Sequence, residues 1–590
     1  MQLFLVAIVM GLPFLVIRVF ILAIMKVLRF LTPGVWKYDV LDIKISGDIP
    51  EELPQTSWVR RFYRSRLTLK DYLFLLREAK EDSNLKFVLF RIKNPQLGWA
   101  QVFELRSAIK ELRDAGVSTI GFLESADNKS YYLASVCDEI FLPPSGYVAL
   151  RGLATEVIFF KGLLDKVKVK PDLMHVGKYK SASELFTRKS MSAPHKEELN
   201  DILDSIMKTF TNDLADDRRL TVREIQRLID QGGFLAEEAK RSGLVDRLCY
   251  EDELSDIIEE RLWKRPRRAG IGRYEMARML ELPLSFYFKP HKKIALLFAT
   301  GPIALGESTD YSPSGPTVGA ETIADSLQGI RFSRDIVGLV MRVSSPGGSA
   351  LASDLIWREI GLGLEDPRKR NPDNPKKPVI VSMGDVAASG GYYISCCADL
   401  IMASPLTITG SIGVVGGKIN VGPLMETLGV TVETITRGKS ASRDSIMQGF
   451  TSDDKRRIKA EMESIYDKFL EKVQSGRKME ASQVKKIAQG RIWTGEQAVR
   501  NGLVDVQGGL LKAIDEVKKR AGIPEGERVI VEIYPRRKKF MRLPILGTSK
   551  MKQLAISKIS FFLPAEIRTL LPLLLSNEPL ALMPYNIKIY

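Results

Sequence analysis

Histidine and cysteine are scarce in this chain of 590 residues, which contains only three histidines and four cysteines. The cysteines lack the spacing of a metal site, and two of them are adjacent in an apolar stretch, which favours buried thiols over a disulfide framework. They are Cys137, Cys249, Cys396 and Cys397. No nucleotide-binding motif is present either. The sequence therefore predicts neither a metal nor a cofactor.

Acidic residues are outnumbered by basic ones, 71 to 87, which gives a formal net charge of +16. Much of the excess lies in three stretches: Arg261–Lys293, Arg368–Arg370 and Arg536–Lys539. Such clusters suit anionic lipid headgroups as well as nucleic acid. Because no nucleic-acid-binding signature accompanies them, we expect a membrane surface as the partner rather than nucleic acid.

Residues 2–31 are almost continuously apolar, interrupted by Arg18 and Lys26. About 20 apolar residues are enough to span a bilayer, so the sequence predicts a single-pass membrane anchor over residues 1–35. A cleaved signal peptide is the alternative, but no basic region precedes the apolar run and no clear cleavage site follows it. The basic residues after the run favour a cytoplasmic location for that side and leave the orientation open.

The rest of the chain repeats itself, with four landmarks recurring in the same order. The pairs are Pro95 and Pro346, Tyr131-Tyr132 and Tyr392-Tyr393, Lys180-Ser-Ala-Ser183 and Lys439-Ser-Ala-Ser442, and Gly243-Leu-Val-Asp246 and Gly502-Leu-Val-Asp505. The sequence thus predicts a tandem duplication, with one repeat at 36–260 and another at 294–535. A basic linker is predicted at 261–293. The tail at 536–590 is basic and then apolar, with runs too short to span a bilayer, so we expect it at a membrane surface.

Each repeat alternates short apolar runs, such as Phe87–Phe90 and Ile336–Val340, with helical patterns, such as those of 101–114 and 350–364. This alternation is typical of parallel β-α-β units, and it predicts an α/β fold for both repeats.

One serine stands out in the stretch from Gly384 to Tyr393. An apolar strand precedes Ser389 and a helical pattern follows it, so the turn would expose its hydroxyl beside free N–H groups of the helix start. A closely packed turn alone could also require these small residues. The first repeat argues against that explanation, because Asn128 replaces Ser389 there and Gln96-Leu97 replaces Gly347-Gly348. Loss of both features in one repeat favours a nucleophile and an oxyanion hole.

Glycines suit an oxyanion hole because a backbone N–H reaches a developing oxyanion only where no side chain blocks the approach. Gly347 or Gly348 would supply one donor, and Gly390, which follows the serine, would supply the other.

A serine nucleophile needs a base, and none of the three histidines recurs in the second repeat. His175 remains possible as a base. Lysine is the alternative, since burial lowers its pKa until the neutral amine can accept the hydroxyl proton. Lys180 and Lys439 stand at equivalent positions in runs of small residues. Ser411 could hydrogen-bond such an amine or could simply cap a turn.

Taken together, these motifs resemble the signal peptide peptidase A family, peptidase family S49, in its long tandem form. The matching stretches are Pro346-Gly-Gly348, Ser389-Gly-Gly-Tyr392, Thr409-Gly-Ser-Ile-Gly413 and Gly177-Lys-Tyr-Lys180-Ser-Ala182. The resemblance implies a ClpP/crotonase-like fold and a membrane-anchored serine protease that cuts hydrophobic remnants of signal peptides. It also implies a Ser/Lys dyad of Ser389 and Lys180, contributed by different repeats, and a tetramer.

This chain also has Lys439, and we expect it to face the inactive position at Asn128 while Lys180 serves Ser389. Two other functions remain open from the sequence. The same fold hosts crotonase-type acyl-CoA enzymes, and the protein could also be a non-catalytic membrane scaffold in which Ser389 is a relic.

Overall fold

The computed structural model describes residues 36–54, 66–283, 291–310, 315–364, 376–524, 526–536 and 579–583, together with six isolated positions (24, 26, 29, 31, 286 and 589). We refer to 36–283 as the N-terminal half and to 291–536 as the C-terminal half.

The N-terminal half is built on a sheet of six parallel strands. Its central strand Phe87–Gln96 begins with four buried apolar residues, as expected for a parallel strand that is covered on both faces. Across the sheet, the strands are Arg268–Gly270, Val40–Asp48, Phe87–Gln96, Ser118–Leu123, Glu139–Leu142 and Arg247–Leu248. A small three-stranded sheet is formed by Ser125–Ala126, Tyr147–Val148 and Phe234–Leu235.

The C-terminal half repeats this arrangement strand for strand. The order that matches the first sheet is Ile530–Tyr534, Lys293–Thr300, Ile336–Ser345, Val379–Ala388, Leu400–Ala403 and Val506–Gln507. The counterparts of the small sheet are the end of Val379–Ala388, Ile408–Gly410 and Ile492–Thr494. The predicted tandem α/β duplication is therefore confirmed.

The helices also correspond between the halves. The longest ones, Ala193–Arg218 and Ser452–Arg477, have 26 residues each, and each ends at a basic residue in the left-handed conformation. The other helices of the N-terminal half are Leu69–Lys80, Trp99–Asp114, Asn128–Ser135, Lys161–Lys166, Glu184–Thr187, Val222–Gln231, Ala236–Arg241, Leu254–Leu262 and Ile271–Glu281. Those of the C-terminal half are Ala320–Phe332, Ala350–Gly361, Gly390–Ser395, Gly422–Thr427, Ala481–Ile487, Gly495–Arg500 and Leu510–Arg520.

A third sheet joins the two halves. Strand Lys170–Val176 of the N-terminal half runs antiparallel to Val414–Asn420 of the C-terminal half along seven paired residues. Because this strand leads into Lys180, the pairing carries the lysine across to the C-terminal half. The other strands of this sheet are Val318–Gly319, Ile303–Ala304, Gly347–Ser349 and, from the end of the chain, Leu580–Leu582.

A buried ion cluster also links the halves. The guanidinium of Arg342, which is fully buried, contacts the carboxylates of Glu51 and Glu104, at 2.9 and 2.6 Å. Asp385 accepts hydrogen bonds from the backbone N–H groups of Ala100 and Gln101 at the start of helix Trp99–Asp114. Polar groups of the two halves thus satisfy one another across the boundary between them.

Of the stretch expected as a linker, 261–293, the residues up to 283 fold as part of the N-terminal half. Arg268–Gly270 is an edge strand of the first sheet and pairs with Val40–Asp42. Helix Ile271–Glu281 follows it, with Tyr274, Ala277 and Leu280 buried. The edge-strand pairing and the apolar face of this helix pack the segment against the N-terminal half. The arginine-rich composition gave no sign of this packing.

The expected anchor and most of the expected tail lie outside the described residues, as does the polar loop at 365–375. No helix within the described part of the chain is both long and apolar enough to cross a membrane. The described part of the tail, 579–583, lies against the C-terminal half rather than apart from it.

Candidate active site

Ser389 lies at a sharp turn between strand Val379–Ala388 and helix Gly390–Ser395. Its backbone has φ of 54° and ψ of −114°, a sparsely populated conformation for a residue with a side chain. The turn is held by its N–H, which donates to the Gly410 carbonyl at 2.7 Å, and by its carbonyl, which accepts from Tyr393 N at 2.8 Å. Such strain at a strand-to-helix turn is a known way to present a nucleophilic hydroxyl.

The amine of Lys180 meets this hydroxyl within the same chain. Lys180 Nζ lies 2.9 Å from Ser389 Oγ, and it also contacts Ser411 at both the carbonyl, at 2.9 Å, and Oγ, at 3.0 Å. Only 1% of the lysine is exposed, and the serine is fully buried. Ser411 therefore contacts the amine, which was one of the two roles open to it.

Burial sets the protonation of the amine. It lowers the pKa of Lys180 to about 7, and the carboxylate of Glu198 opposes this by raising it. An unperturbed lysine with a pKa near 10.4 would be only about 0.04% neutral at pH 7. The site thus holds an amine of which roughly half is neutral at that pH.

The glycines expected near the oxyanion lie close to one another. Gly347 has φ of 98°, in the left-handed region, and a Cβ there would lie 2.6 Å from Gly390 N. A Cβ on Gly390 would in turn lie 3.0 Å from Gly347 Cα. A Cβ on Gly348 would overlap the Ile303 carbonyl oxygen. The two backbones approach each other closely beside Ser389, and a side chain on either would separate them.

The N-terminal half has an equivalent strand-to-helix turn that lacks the serine and the glycines. Strand pairs Ala126 with Val148 and Ala387 with Thr409 are equivalent, so Asn128 occupies the position of Ser389. The Asn128 amide bonds to the backbone on both sides, donating to Gly152 O at 2.6 Å and accepting from Arg151 N at 3.0 Å.

Two other candidate bases do not reach Ser389. His175 Nδ1 lies 2.9 Å from Ser183 Oγ, and its backbone pairs with Val415. Lys439 is exposed in the loop that follows Gly438. Gly438 directly precedes this lysine, whereas Gly177 precedes Lys180 by three residues, so the two lysines are not equivalent in the fold.

Glu198 is a further residue near the site that was not expected from the sequence. Its carboxyl lies on the buried face of helix Ala193–Arg218 and accepts from Ile492 N at 3.1 Å. Burial raises its pKa to about 8, although the Ile492 hydrogen bond, Arg491 and Lys180 act in the opposite direction. The sequence signal that could have identified it is its place beside Leu199 and Ile202 on the apolar face of a helix whose other residues are mostly charged.

Comparison with known proteins places this site in a family. Residues 114–264 and 372–524, one stretch from each half, match the model described as Peptidase family S49. The chain belongs to peptidase family S49. It is therefore a serine peptidase, and the acyl-CoA and scaffold alternatives lose their support.

The S49 relatives cover most of the chain. It is 33% identical over 510 residues to "Serine protease SPPA, chloroplastic" of Arabidopsis thaliana, and the aligned region covers 84% of this chain and 71% of that protein. It is 31% identical over 473 residues to "Protease 4" of Salmonella typhi, with 78% and 73% covered. A solved structure, the 1510-N membrane-bound stomatin-specific protease with a substrate peptide, is 16% identical with a TM-score of 0.24, covering 46% of this chain and 99% of that one.

Proposed function

We propose that this S49 peptidase is an endopeptidase in which Ser389 is the nucleophile and Lys180 is the general base. The distance of 2.9 Å between Lys180 Nζ and Ser389 Oγ, in a buried site, carries this proposal. It is the reach that proton transfer between a nucleophile and its base requires.

In the first step, Ser389 Oγ attacks the scissile carbonyl while neutral Lys180 accepts the hydroxyl proton. The Ser411 carbonyl and hydroxyl orient the amine, since both contact Nζ. The proton then passes from the lysine ammonium to the leaving amine. The products of this step are an acyl-enzyme ester at Ser389 and the freed C-terminal part of the peptide.

In the second step, water attacks the ester, with Lys180 again accepting a proton, and Ser389 is restored. In both steps, negative charge develops on the former carbonyl oxygen. Of the expected donors Gly347, Gly348 and Gly390, the N–H of Gly347 donates to Ser345 Oγ at 3.1 Å. We therefore expect the N–H groups of Gly348 and Gly390 to receive this charge. One such donor contributes about 3 kcal/mol to the lowering of the barrier.

The proposed substrates are hydrophobic peptides in an extended conformation, such as cleaved signal peptides. The observation in favour is an apolar cluster beside the site, formed by both halves, which includes Ala182, Leu185, Phe186 and Val415. The apolar segment at residues 2–31 supports a membrane-anchored location, close to such peptides.

Hydrolysis of a fluorogenic apolar peptide tests the assignment of the dyad. We expect Ser389→Ala and Lys180→Ala each to lower kcat by about 10⁶-fold, as loss of a nucleophile or its base does in other serine proteases. Lys439→Ala is the matched control, because Lys439 lies in the same Lys-Ser-Ala-Ser sequence of the other repeat but is exposed, and it should keep the wild-type rate. Loss of activity only in Lys439→Ala would overturn the assignment.

A further inference from the structure

A strand from the end of the chain, Leu580–Leu582, lies in the proposed active site. It runs antiparallel to Gly347–Ser349, with Gly347 opposite Leu582 and Gly348 opposite Ala581. On its other side, Leu580 pairs with Val415. Met583 N donates to the Pro346 carbonyl at 2.6 Å. The segment is thus held between two strands of the third sheet, as an extended peptide substrate would be.

The carbonyl of Ala581 has a particular position in this strand. A Cβ on Gly347 would overlap Ala581 O, and a Cβ on Gly390 would lie 3.1 Å from the same oxygen. Gly390 is one of the proposed oxyanion donors. The Gly347 N–H donates to Ser345 Oγ, so the other donor is Gly348, which lies opposite Ala581 in the strand pair. The Ala581 oxygen therefore lies where the oxygen of a scissile carbonyl is expected.

The side chains of the segment also match the substrate class. Successive side chains of a strand point to opposite faces, so Leu580 and Leu582 share one face and Ala581 lies on the other. The two leucines pack in the apolar cluster of Ala182, Leu185, Phe186 and Val415. The residues from Leu580 to Met583 are each at most 4% exposed. Ala581 is thus a small residue between two leucines that are anchored in this cluster.

We propose that the peptide bond between Ala581 and Leu582 is a site at which the enzyme cleaves its own chain. This inference rests on the proposed function of Ser389 and Lys180. Ser389 Oγ would bond to the Ala581 carbonyl carbon, and the bond from that carbon to Leu582 N would break. The hydroxyl proton passes through Lys180 to the Leu582 amine, and water then releases Ala581 as a free carboxylate. The segment from Leu582 onward leaves.

The mass of the intact purified chain tests this proposal. Wild type is expected to end at Ala581, whereas Ser389→Ala and Lys180→Ala are expected to retain Leu582 and everything after it. Ala581→Asp places a charge in a position that is 1% exposed. It should therefore abolish trimming while leaving the catalytic groups in place.

Hydrolysis of a separate apolar peptide, measured on the same samples, distinguishes a failure of self-cleavage from a failure of the proposed peptidase function. A wild type that hydrolyses the peptide but keeps its full C terminus overturns self-cleavage and leaves the proposed function standing. A wild type that does neither overturns both. Trimming that persists in Ser389→Ala assigns the cut to another protease and overturns the inference.

A mixing experiment tests whether the cut occurs within one chain. Intact Ser389→Ala is incubated with a small amount of wild type. Because its tail is buried in its own site, we expect at least a tenfold slower loss of the tail than of a free peptide that contains the sequence from Pro579 to Met583. Equal rates would overturn the intramolecular assignment.

Discussion

Lys180 and Glu198 are buried in the same region, and each affects the proton affinity of the other. Burial lowers the pKa of the amine to about 7 and raises that of the carboxyl to about 8, so both are driven toward their neutral forms. The base must be neutral to accept a proton, so kcat/KM should rise as the pH increases through about 7. The carboxylate of Glu198 acts against burial by raising the pKa of Lys180.

Replacing this carboxyl should therefore move the pH profile. A carboxyl with a pKa of about 8 is charged in only a minority of molecules near pH 7. We therefore expect Glu198→Gln to shift the rise of kcat/KM to lower pH by about half a unit or less, because this partial charge, which favours the ammonium form, is removed. Glu197→Gln is the matched control, since the neighbouring carboxylate is exposed and bonds to Tyr179 and Arg491. Profiles that shift equally in both variants, or in neither, would contradict a role for Glu198.

The close approach of Gly347 and Gly390 makes a second prediction at the scale of single residues. In Gly347→Ala, the added methyl group would enter the space beside Gly390 N, and we expect kcat to fall by about 10²–10³-fold. Gly243→Ala is the control, because Gly243 also has a positive φ, of 74°, but has open space at its Cβ. It should reproduce the backbone strain, seen as a small loss in Tm, and keep its activity. Equal losses of activity in both variants would mean that strain, not the oxyanion hole, is responsible.

At the scale of elements, equivalent strands in the two halves carry equivalent arginines with different surroundings. Arg342 of strand Ile336–Ser345 is fully buried, and although burial alone would lower its pKa, the carboxylates of Glu104 and Glu51 raise it. Arg91 of strand Phe87–Gln96 pairs with Asp42 and Glu251, and its side chain is 21% exposed. Of these two arginines, only Arg342 connects the two halves.

The two arginines should therefore differ in their contribution to stability. Arg342→Met leaves two carboxylates without their buried partner, and we expect the free energy of unfolding to fall by about 3–5 kcal/mol. Arg91→Met removes a partly exposed pair and should cost about 1 kcal/mol or less. Chemical denaturation of both variants measures the difference. Equal losses in the free energy of unfolding would contradict a stabilising role for the buried ion cluster between the halves.

The duplication explains which parts of the site could be predicted from sequence. Ser389 and its glycines were predictable because Asn128 and Gln96-Leu97 provide a copy without them. The two lysines looked equivalent, and only the antiparallel pairing of Lys170–Val176 with the other half brings Lys180 to Ser389. Glu198 was not predicted, because its burial depends on packing against the C-terminal half. The position of Leu580–Leu582 depends on pairing between segments far apart in sequence, which no local pattern encodes.

At the scale of the whole molecule, the duplication leaves two stretches without the strand partner that their counterparts have. Strand Lys170–Val176 pairs with Val414–Asn420 inside the chain. The offset of Ser389 from Asn128, 389 − 128 = 261, places 431–437 at the position of the first strand and 153–159 at that of the second. Gly177 and Gly438 have the same offset, and both have a positive φ. Neither stretch is paired in any sheet of the described residues.

Both stretches carry exposed apolar side chains. Val432 is 51% exposed, Ile435 is 88% exposed, and Ile158 of the other stretch is 53% exposed. By analogy with the pairing inside the chain, we propose that 431–437 of one copy pairs with 153–159 of the next. This contact would join different surfaces, so it would form a closed ring or a filament. The same contact would bring Lys439 of one copy toward Asn128 of its neighbour.

A charge in this contact should separate the copies. We expect wild type to have a mass in solution that is a multiple of 66.1 kDa, and Ile435→Lys to shift it to that of a single chain, measured by light scattering. Val222→Lys is the control, because Val222 is an exposed apolar residue, at 45%, on a helix outside both stretches. Since Lys180 and Ser389 meet within one chain, the separated variant should still hydrolyse a short peptide. An unchanged mass in Ile435→Lys would contradict this contact, whereas separation with a loss of activity would mean that the site depends on the neighbouring copy.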